Sequence, residues 1–486
     1  MYGLLTDFYE LTMAQGFFLA GKGNETAYFD MYFRDIPDGG GYAVMAGVEQ
    51  LMEYLENLRF TDNDIEYLRS KNMFSGEFLE YLRNFKFTCD VWAIPEGTPI
   101  FPNEPIVTVR GNLIEAQLIE TMLLITVNYQ SLIATKASRI VRAADGRAVF
   151  EFGARRAQGT SAALYGARAA FIGGAAGTSC TLAEKEFSIP ALGTMGHSWV
   201  QSFDNELAAF RKFAELYPDN CTLLVDTYNV LKSGIPNAIR VFDEVLKPKG
   251  ITSGGIRIDS GDIAYLSRKA RKMLDDAGWN DIKIVASNSL DEYIIRDLLT
   301  QGAKVDIFGV GERLITSKSY PVFGGVYKLA ATEENGEIVP KIKVSENPAK
   351  ITTPYFKRVY RLFSNDDNMA IADVLTTFDE EIDESSEYEI FDPVHTWKRK
   401  KISNFTAKLL QTQIFDKGKR CYESPDIRQI QAFAAEELAK IWDETKRFEN
   451  PQEYYVDLSQ KLWDVKNQLI INNAQLTMKT QTATTL

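Results

Sequence analysis

Histidine is almost missing from this 486-residue chain, which has two, and cysteine is scarce at four. Cys89, Cys180, Cys221 and Cys421 lie far apart, with no Cys-x-x-Cys pair and no neighbouring histidine pair. That excludes the usual zinc ligand sets and a dense disulfide framework. The four read as reduced, mostly buried thiols of a cytoplasmic protein. Long apolar runs are also lacking. The most apolar helical stretch, Asn112 to Asn128, carries Glu115 and Glu120, and Asp7 and Glu10 stand where a signal peptide would be basic. Neither a membrane span nor an export signal is expected. There is no Walker A pattern, and Gly21-Lys22-Gly23 is too short for a phosphate loop. Positive charge is outnumbered, 54 Lys and Arg against 66 Asp and Glu, for a net −12. Without a local basic patch, this excludes nucleic acid and anionic membranes as partners. A few arginines in a cleft would still accommodate a small anion.

With 45% hydrophobic and 25% charged residues, the chain has ordinary globular composition and enough length for two or three domains. Leu4, Phe8, Leu11 and Phe18 share one helical face, Thr26 to Phe33 has strand-like aromatic spacing, and Trp92 to Val109 is strand-like between prolines. Residues 1–133 therefore read as an α+β domain. From Arg147 a new rhythm begins, with short apolar runs that end in polar residues or glycine and lead into amphipathic helices. The runs cover 148–153, 169–174, 191–194, 222–226, 255–259, 282–287 and 305–309. Their spacing of roughly 20 to 35 residues is that of βα units. Ser289 with Glu292 fits a capping box. Such repeats close most naturally into an α/β barrel of about seven strands over 134–355. Beyond Tyr355 the rhythm stops; 379–384 reads as an acidic loop, 356–486 as a C-terminal subdomain, and 477–486 as a frayed tail.

In α/β barrels the chemistry sits at the carboxyl ends of the strands. The residues there are Glu151, Thr194 with His197, Asp226, Asp259, Ser287 with Asn288, and Gly309 with Gly311. His197 stands out as one of only two histidines, just past a strand end. Asp226 and the run Asp259-Ser260-Gly261-Asp262 could hydrogen-bond sugar hydroxyls or hold a magnesium ion indirectly through Asp259 and Asp262; the competing role is helix capping. The segments at Ser287-Asn288 and Gly309-Val310-Gly311 follow the last two strands, where barrels often bind phosphate. Arg155, Arg156 and Arg257 are the cations for an anionic ligand, or else partners of Glu151 and Asp259.

Several of these segments together resemble the signatures of the nicotinate phosphoribosyltransferases. They are Leu5-Thr6-Asp7-Phe8-Tyr9, the run from Glu151 to Gly159, Gly193-Thr194-Met195-Gly196-His197-Ser198, the run from Ile256 to Asp262, and Phe323 to Leu329. The resemblance implies a type II phosphoribosyltransferase fold, an irregular α/β barrel with an N-terminal α+β domain, working as a homodimer in the cytoplasm. It implies the first step of NAD salvage, in which nicotinate and phosphoribosyl pyrophosphate give nicotinate mononucleotide and pyrophosphate. ATP would be hydrolysed alongside as co-substrate, with Mg2+ as cofactor and His197 transiently phosphorylated. By similarity, Tyr9 borders the pyridine ring, and Thr194, Ser198, Arg257 and one of Arg155 or Arg156 hold the substrate. Asp226 and Asp259 face ribose or metal, and Ser287, Asn288, Gly309 and Gly311 cradle the 5′-phosphate. Thr316 belongs with the pyrophosphate or ATP contacts. Glu312-Arg313 and Lys318-Ser319-Tyr320 depart from the family's pattern around it. The competing expectations are a nicotinamide or quinolinate phosphoribosyltransferase, a phosphohistidine ATPase, and a catalytically inactive barrel acting as a binding partner.

Overall fold

A computed structural model describes residues 3–484 of the chain, with side chains through residue 474. The tail expected to fray therefore lies outside the residues described with side chains. The chain forms two compact units, 133–321 as one and 1–132 with 322–486 as the other. The first division falls within one residue of the boundary expected after 133, and the second falls at 321/322, because residues beyond it join the N-terminal part in a discontinuous unit; strand pairing is the reason. Val326–Glu334 pairs antiparallel with Thr26–Tyr32, and Thr412–Asp416 pairs with Asp90–Ala93. An edge strand needs partners for its backbone groups, and here they come from residues hundreds of positions away.

The unit 133–321 holds a parallel sheet. Its order is Gly177–Thr178, Ala148–Glu151, Ile307–Val310, Lys283–Ser287, Gly255–Ile258 and Thr222–Leu224. A seventh parallel segment touches it through one bridge, Ala191 to Thr178. Of the seven expected strands, five form close to their expected positions and 191–194 is reduced to this bridge. The run 169–174 is a correction, because Ala169 to Ile172 belong to the helix Thr160–Ile172. A short alanine-rich apolar run has no period by which to tell a buried helix from a buried strand. The capping box at Ser289 is a second correction. The helix starts at Glu292, and Asp291 caps it by accepting from the Ile294 amide at 2.9 Å.

The other unit is built on a seven-stranded antiparallel sheet with Thr26–Tyr32 and Val107–Asn112 adjacent near its middle. The C-terminal part adds a four-stranded sheet of Phe405–Leu409, Lys357–Ser364, Ala370–Thr377 and Val456–Leu458. No strand rhythm was legible there because Lys357–Ser364 and Ala370–Thr377 are buried on both faces, so inward and outward residues do not alternate. Among the described residues, no helix is long and apolar enough to cross a membrane. All four cysteines are free; Cys89 and Cys221 are buried, whereas Cys180 is half-buried and Cys421 exposed, so only two of the four match the buried thiols expected.

An ion pair lies inside this second sheet. Arg361 is fully buried and grips Asp373 with two bonds, Nε to Oδ1 at 2.8 Å and Nη2 to Oδ2 at 2.6 Å. Tyr454 donates to Asp373 Oδ1 at 3.0 Å and stacks on Phe101, while Arg361 lies over both rings. Burial and the neighbouring Asp373 push the Glu104 carboxyl well above its ordinary range. Asp373→Ala would leave the Arg361 charge buried without its two-bond carboxylate partner. We expect it to cost about 3–5 kcal/mol in urea denaturation, because the desolvation penalty remains and its compensation is gone.

Candidate active site

The parallel sheet brings its polar strand ends together. Asp226 Oδ2 accepts from the Asp259 backbone amide at 3.0 Å and from Ser260 Oγ at 2.6 Å. Asp259 Oδ1 accepts from Ser287 Oγ. Three adjacent strands are thus cross-tied at their carboxyl ends. His197, at the start of the short helix His197–Gln201, faces this tie with both ring nitrogens. Its Nε2 is 3.9 Å from Asp259 Oδ2, and its Nδ1 is 3.1 Å from Thr227 Oγ1. Thr227 follows Asp226 directly and was not anticipated; its position one residue past a strand-end aspartate was the available signal.

Arg257 stands mid-strand with Nη1 donating to Thr194 Oγ1 at 2.6 Å. Its Nε is buried without a hydrogen-bond partner, and it forms no ion pair among the described residues. Burial pulls its pKa down, against the upward pull of Asp259 and Asp226, and Arg155 adds to the depression. Arg155 is therefore the arginine that shares this environment. Arg156 lies instead with Gln158, Glu312, Thr316 and Lys318 around a separate shallow cavity of about 360 Å³. In that cavity Thr316 Oγ1 donates to the Glu312 carbonyl at 2.7 Å and Lys318 pairs with Glu312 at 2.7 Å.

Other sequence candidates take structural roles. Glu151 is fully buried, accepting from the Gly153 amide and from Thr178 Oγ1 at 2.7 Å, and burial raises its pKa. It braces the strand end and is no partner for an arginine. Asp262 caps the helix Ile263–Asp276 by accepting from the Tyr265 amide at 2.8 Å, which is the competing role. Gly309 sits within its strand, and a Cβ there would lie 2.4 Å from the Phe152 ring, so close packing explains the glycine. Gly311 accepts from the amides of Leu314 and Ile315 at the start of the next short helix. Ser198 is exposed on the helix that carries His197.

The turn after Ser287 is unusual. Asn288 and Ser289 both have left-handed backbones, at φ 94° and 51°. Two consecutive non-glycine residues in this region store strain of about 1–3 kcal/mol each, a feature that clusters where ligands are held.

The cluster comprises a half-exposed imidazole, two carboxylates that hold neighbouring strands, and an arginine with no acid partner. It can orient a nucleophilic ring nitrogen and receive an anion. Among the described residues no group of three or more His, Cys, Asp or Glu side chains could hold a metal ion by itself.

Tyr9 belongs to the other unit, half-exposed on the helix Phe8–Leu19. Burial together with Glu120, Glu10 and Asp7 raises its pKa, keeping the phenol protonated. Next to it Glu10 is buried, bonded by Thr6 Oγ1 and by Thr121 Oγ1 at 2.6 Å, and burial pushes its pKa up to about 7.

Three profiles of one family match the chain, described as the nicotinate phosphoribosyltransferase N-terminal domain over 4–128, the family itself over 148–367, and the C-terminal domain over 356–466. The nicotinate phosphoribosyltransferase of Bacillus subtilis is 48% identical over 467 residues, 96% of this chain and 95% of that one. The human nicotinate phosphoribosyltransferase is 30% identical over 96% of each chain. A crystal structure of human nicotinic acid phosphoribosyltransferase superposes with a TM-score of 0.85 at 29% identity, covering 96% of this chain and 99% of that one. A nicotinate-nucleotide pyrophosphorylase from Pyrococcus furiosus shares the fold, at a TM-score of 0.68 and 24% identity, over 90% of this chain and 95% of that one.

Two tests follow from this geometry. Gly309→Ala would press a methyl group into the Phe152 ring, at an expected cost of about 1–3 kcal/mol. In chemical denaturation, adding Phe152→Ala should recover part of that loss for the alanine-309 background. The second test concerns Glu10. Its folded pKa lies above the unfolded value, so its stabilising contribution is complete below about pH 4.5 and is lost as pH rises through about 7. Relative to Glu10→Gln, the wild type should lose up to about 3 kcal/mol between pH 4 and 8. A parallel pH course for the two proteins would show Glu10 to be ordinary.

Proposed function

Because the chain belongs to the nicotinate phosphoribosyltransferase family, we propose that it transfers the phosphoribosyl group of phosphoribosyl pyrophosphate to the ring nitrogen of nicotinate. The ring nitrogen of nicotinate forms the new bond to the ribose C1 as the bond from C1 to pyrophosphate breaks, giving nicotinate mononucleotide and pyrophosphate, a step of NAD salvage. Nicotinate is unprotonated at its ring nitrogen near neutral pH, so the reaction needs no strong base. It needs the reactants held in line and the developing ribosyl cation stabilised.

The observation that carries this reading is Arg257. A cation largely out of water, with a buried unpartnered Nε and no acid of its own, is costly unless a ligand supplies the anion. The carboxylate of nicotinate is such an anion, and Thr194 and Arg155 would complete its binding. Asp226 and Asp259 would face the ribose hydroxyls. Ser287, Asn288 and Gly311 would lie along the 5′-phosphate, with Gly309 fixing the approach of Phe152. Tyr9 would border the pyridine ring, in one arrangement from the partner subunit of a homodimer.

His197 would accept the γ-phosphoryl group of ATP, releasing ADP, and the phosphohistidine would then be hydrolysed by water to free phosphate. Asp259 near Nε2 and Thr227 at Nδ1 support this by holding the ring's orientation. Asp226 Oδ1, buried without a partner, fits a divalent cation that takes most of its oxygens from substrate. Bound there, Mg2+ would neutralise charge on the departing pyrophosphate. The protein would work in the cytoplasm.

The test compares nicotinate with nicotinamide as acceptor, with phosphoribosyl pyrophosphate and Mg2+, with and without ATP. We expect turnover of nicotinate alone. His197→Ala should lose the stimulation by ATP while keeping a residual rate. Arg257→Met should raise KM for nicotinate about 10- to 100-fold, the loss of one charge-assisted contact of about 1.5–3 kcal/mol. Equal use of nicotinamide, or ATP stimulation that survives in His197→Ala, would overturn the respective part of the reading.

A further inference from the structure

A partly open cavity of about 450 Å³ lies wholly within the discontinuous unit. That is large enough for a small organic molecule. One wall is apolar, with Trp463 and Ile470 from the C-terminal helix and Val394 among its residues. The lining also carries four cations, Arg34, Lys328, Lys357 and Lys466, against two carboxylates, Asp30 and Asp35.

Two of those cations are answered by the protein. Lys357 pairs with Asp30 at 2.6 Å and donates to the carbonyls of Thr353, Pro354 and Tyr355. Lys328 lies 3.7 Å from Glu120. The other two are not. Among the described residues, Lys466 donates only to Thr353 Oγ1, at 3.2 Å, and has no carboxylate partner. Arg34 donates from Nη2 to Tyr32 OH at 3.3 Å, and its Nε is buried without a hydrogen-bond partner among the described residues. Burial and the nearby Lys357 charge lower the Lys466 pKa to about 8, the mark of an ammonium held where an anion is missing. Cations left unanswered beside an apolar wall are the pattern of a site whose counter-charge arrives with a ligand.

We propose that this cavity binds a small organic anion, a carboxylate or phosphate group carried on a flat apolar ring, with Lys466 and Arg34 receiving the anionic oxygens and Trp463 lining the space for the ring. The lining residues all belong to the discontinuous unit, and those of the cluster around His197 to the other. The cavity site does not depend on the reaction proposed above.

Calorimetric titration with phenyl phosphate, benzoate and inorganic phosphate tests it, using wild type, Lys466→Met and Arg34→Met. Wild type should bind phenyl phosphate or benzoate saturably, and inorganic phosphate at least tenfold more weakly because it brings no ring. Whichever of the first two binds more tightly identifies the anionic group. Each substitution should weaken the ring-bearing anion at least tenfold and leave nicotinate turnover unchanged. Lys466→Met should melt no lower than wild type, since it removes an uncompensated cation, and Arg34→Met supplies an independent reading from a second cation. Absence of saturable binding of either ring-bearing probe to wild type would overturn the proposal. So would binding that both variants retain and that pyrophosphate displaces, because the probe would then occupy the catalytic cluster.

Discussion

The hydrogen bonds that run sideways across the carboxyl ends of the parallel strands are what the site is built on. A parallel ladder holds the strands together along their length but leaves the turns beyond it free to drift. Here Asp226 reaches to the amide and hydroxyl that open the neighbouring turn, and Asp259 accepts from Ser287 on the strand beyond. Each of these two carboxylates uses one oxygen for the scaffold. The other oxygen of Asp259 faces His197, and that of Asp226 is buried without a partner. The ties that stiffen the strand ends therefore also aim the chemistry, consistent with positional accuracy coming from rigid elements rather than from loops.

Buried charge divides into two kinds in this protein. Some cations have a carboxylate opposite them from within the protein, although Arg361 Nη1 itself is buried without a hydrogen-bond partner among the described residues. Arg361 has Asp373 in a two-bond grip, and in the other unit Lys136 and Arg139 converge on Glu292 at 2.9 and 3.0 Å. These pairs hold secondary structure together and their environments are closed. Arg257, and Lys466 with Arg34, are different: each is drawn out of water without an acid opposite it. Folding alone gives no compensation for such desolvation, so the counter-charge must be brought by something that binds. The same criterion thus separates structural ion pairs from anion sites in both units.

The sequence was legible wherever a local rule carried the information. The strands at 148, 222, 255, 283 and 307 followed their spacing, and His197 was visible through the rarity of histidine. Thr194, Arg257, Asp226, Asp259 and Ser287 were legible as strand-end or strand residues, and they do meet in space. Local rules failed where burial removed the pattern. Ala169 to Ile172 lie in a helix buried too thoroughly to show its period, and the strands Lys357–Ser364 and Ala370–Thr377 hide their alternation by being covered on both faces.

By itself, then, the order of residues determined the βα rhythm, the positions of the reactive side chains along it, and the family to which the chain belongs, because these depend on short-range periodicity and on which residue types end each strand. Only the tertiary structure decided that Val326–Glu334 and Thr412–Asp416 complete a sheet begun near the N-terminus, that Arg155 rather than Arg156 shares the surroundings of Arg257, that Thr227 meets His197, and that Glu151 and Asp262 serve as brace and cap. Each of those outcomes depends on which polar group finds a partner across a long chain separation or across a turn. No local pattern encodes that choice, since it is made by the packing that removes the alternatives from water.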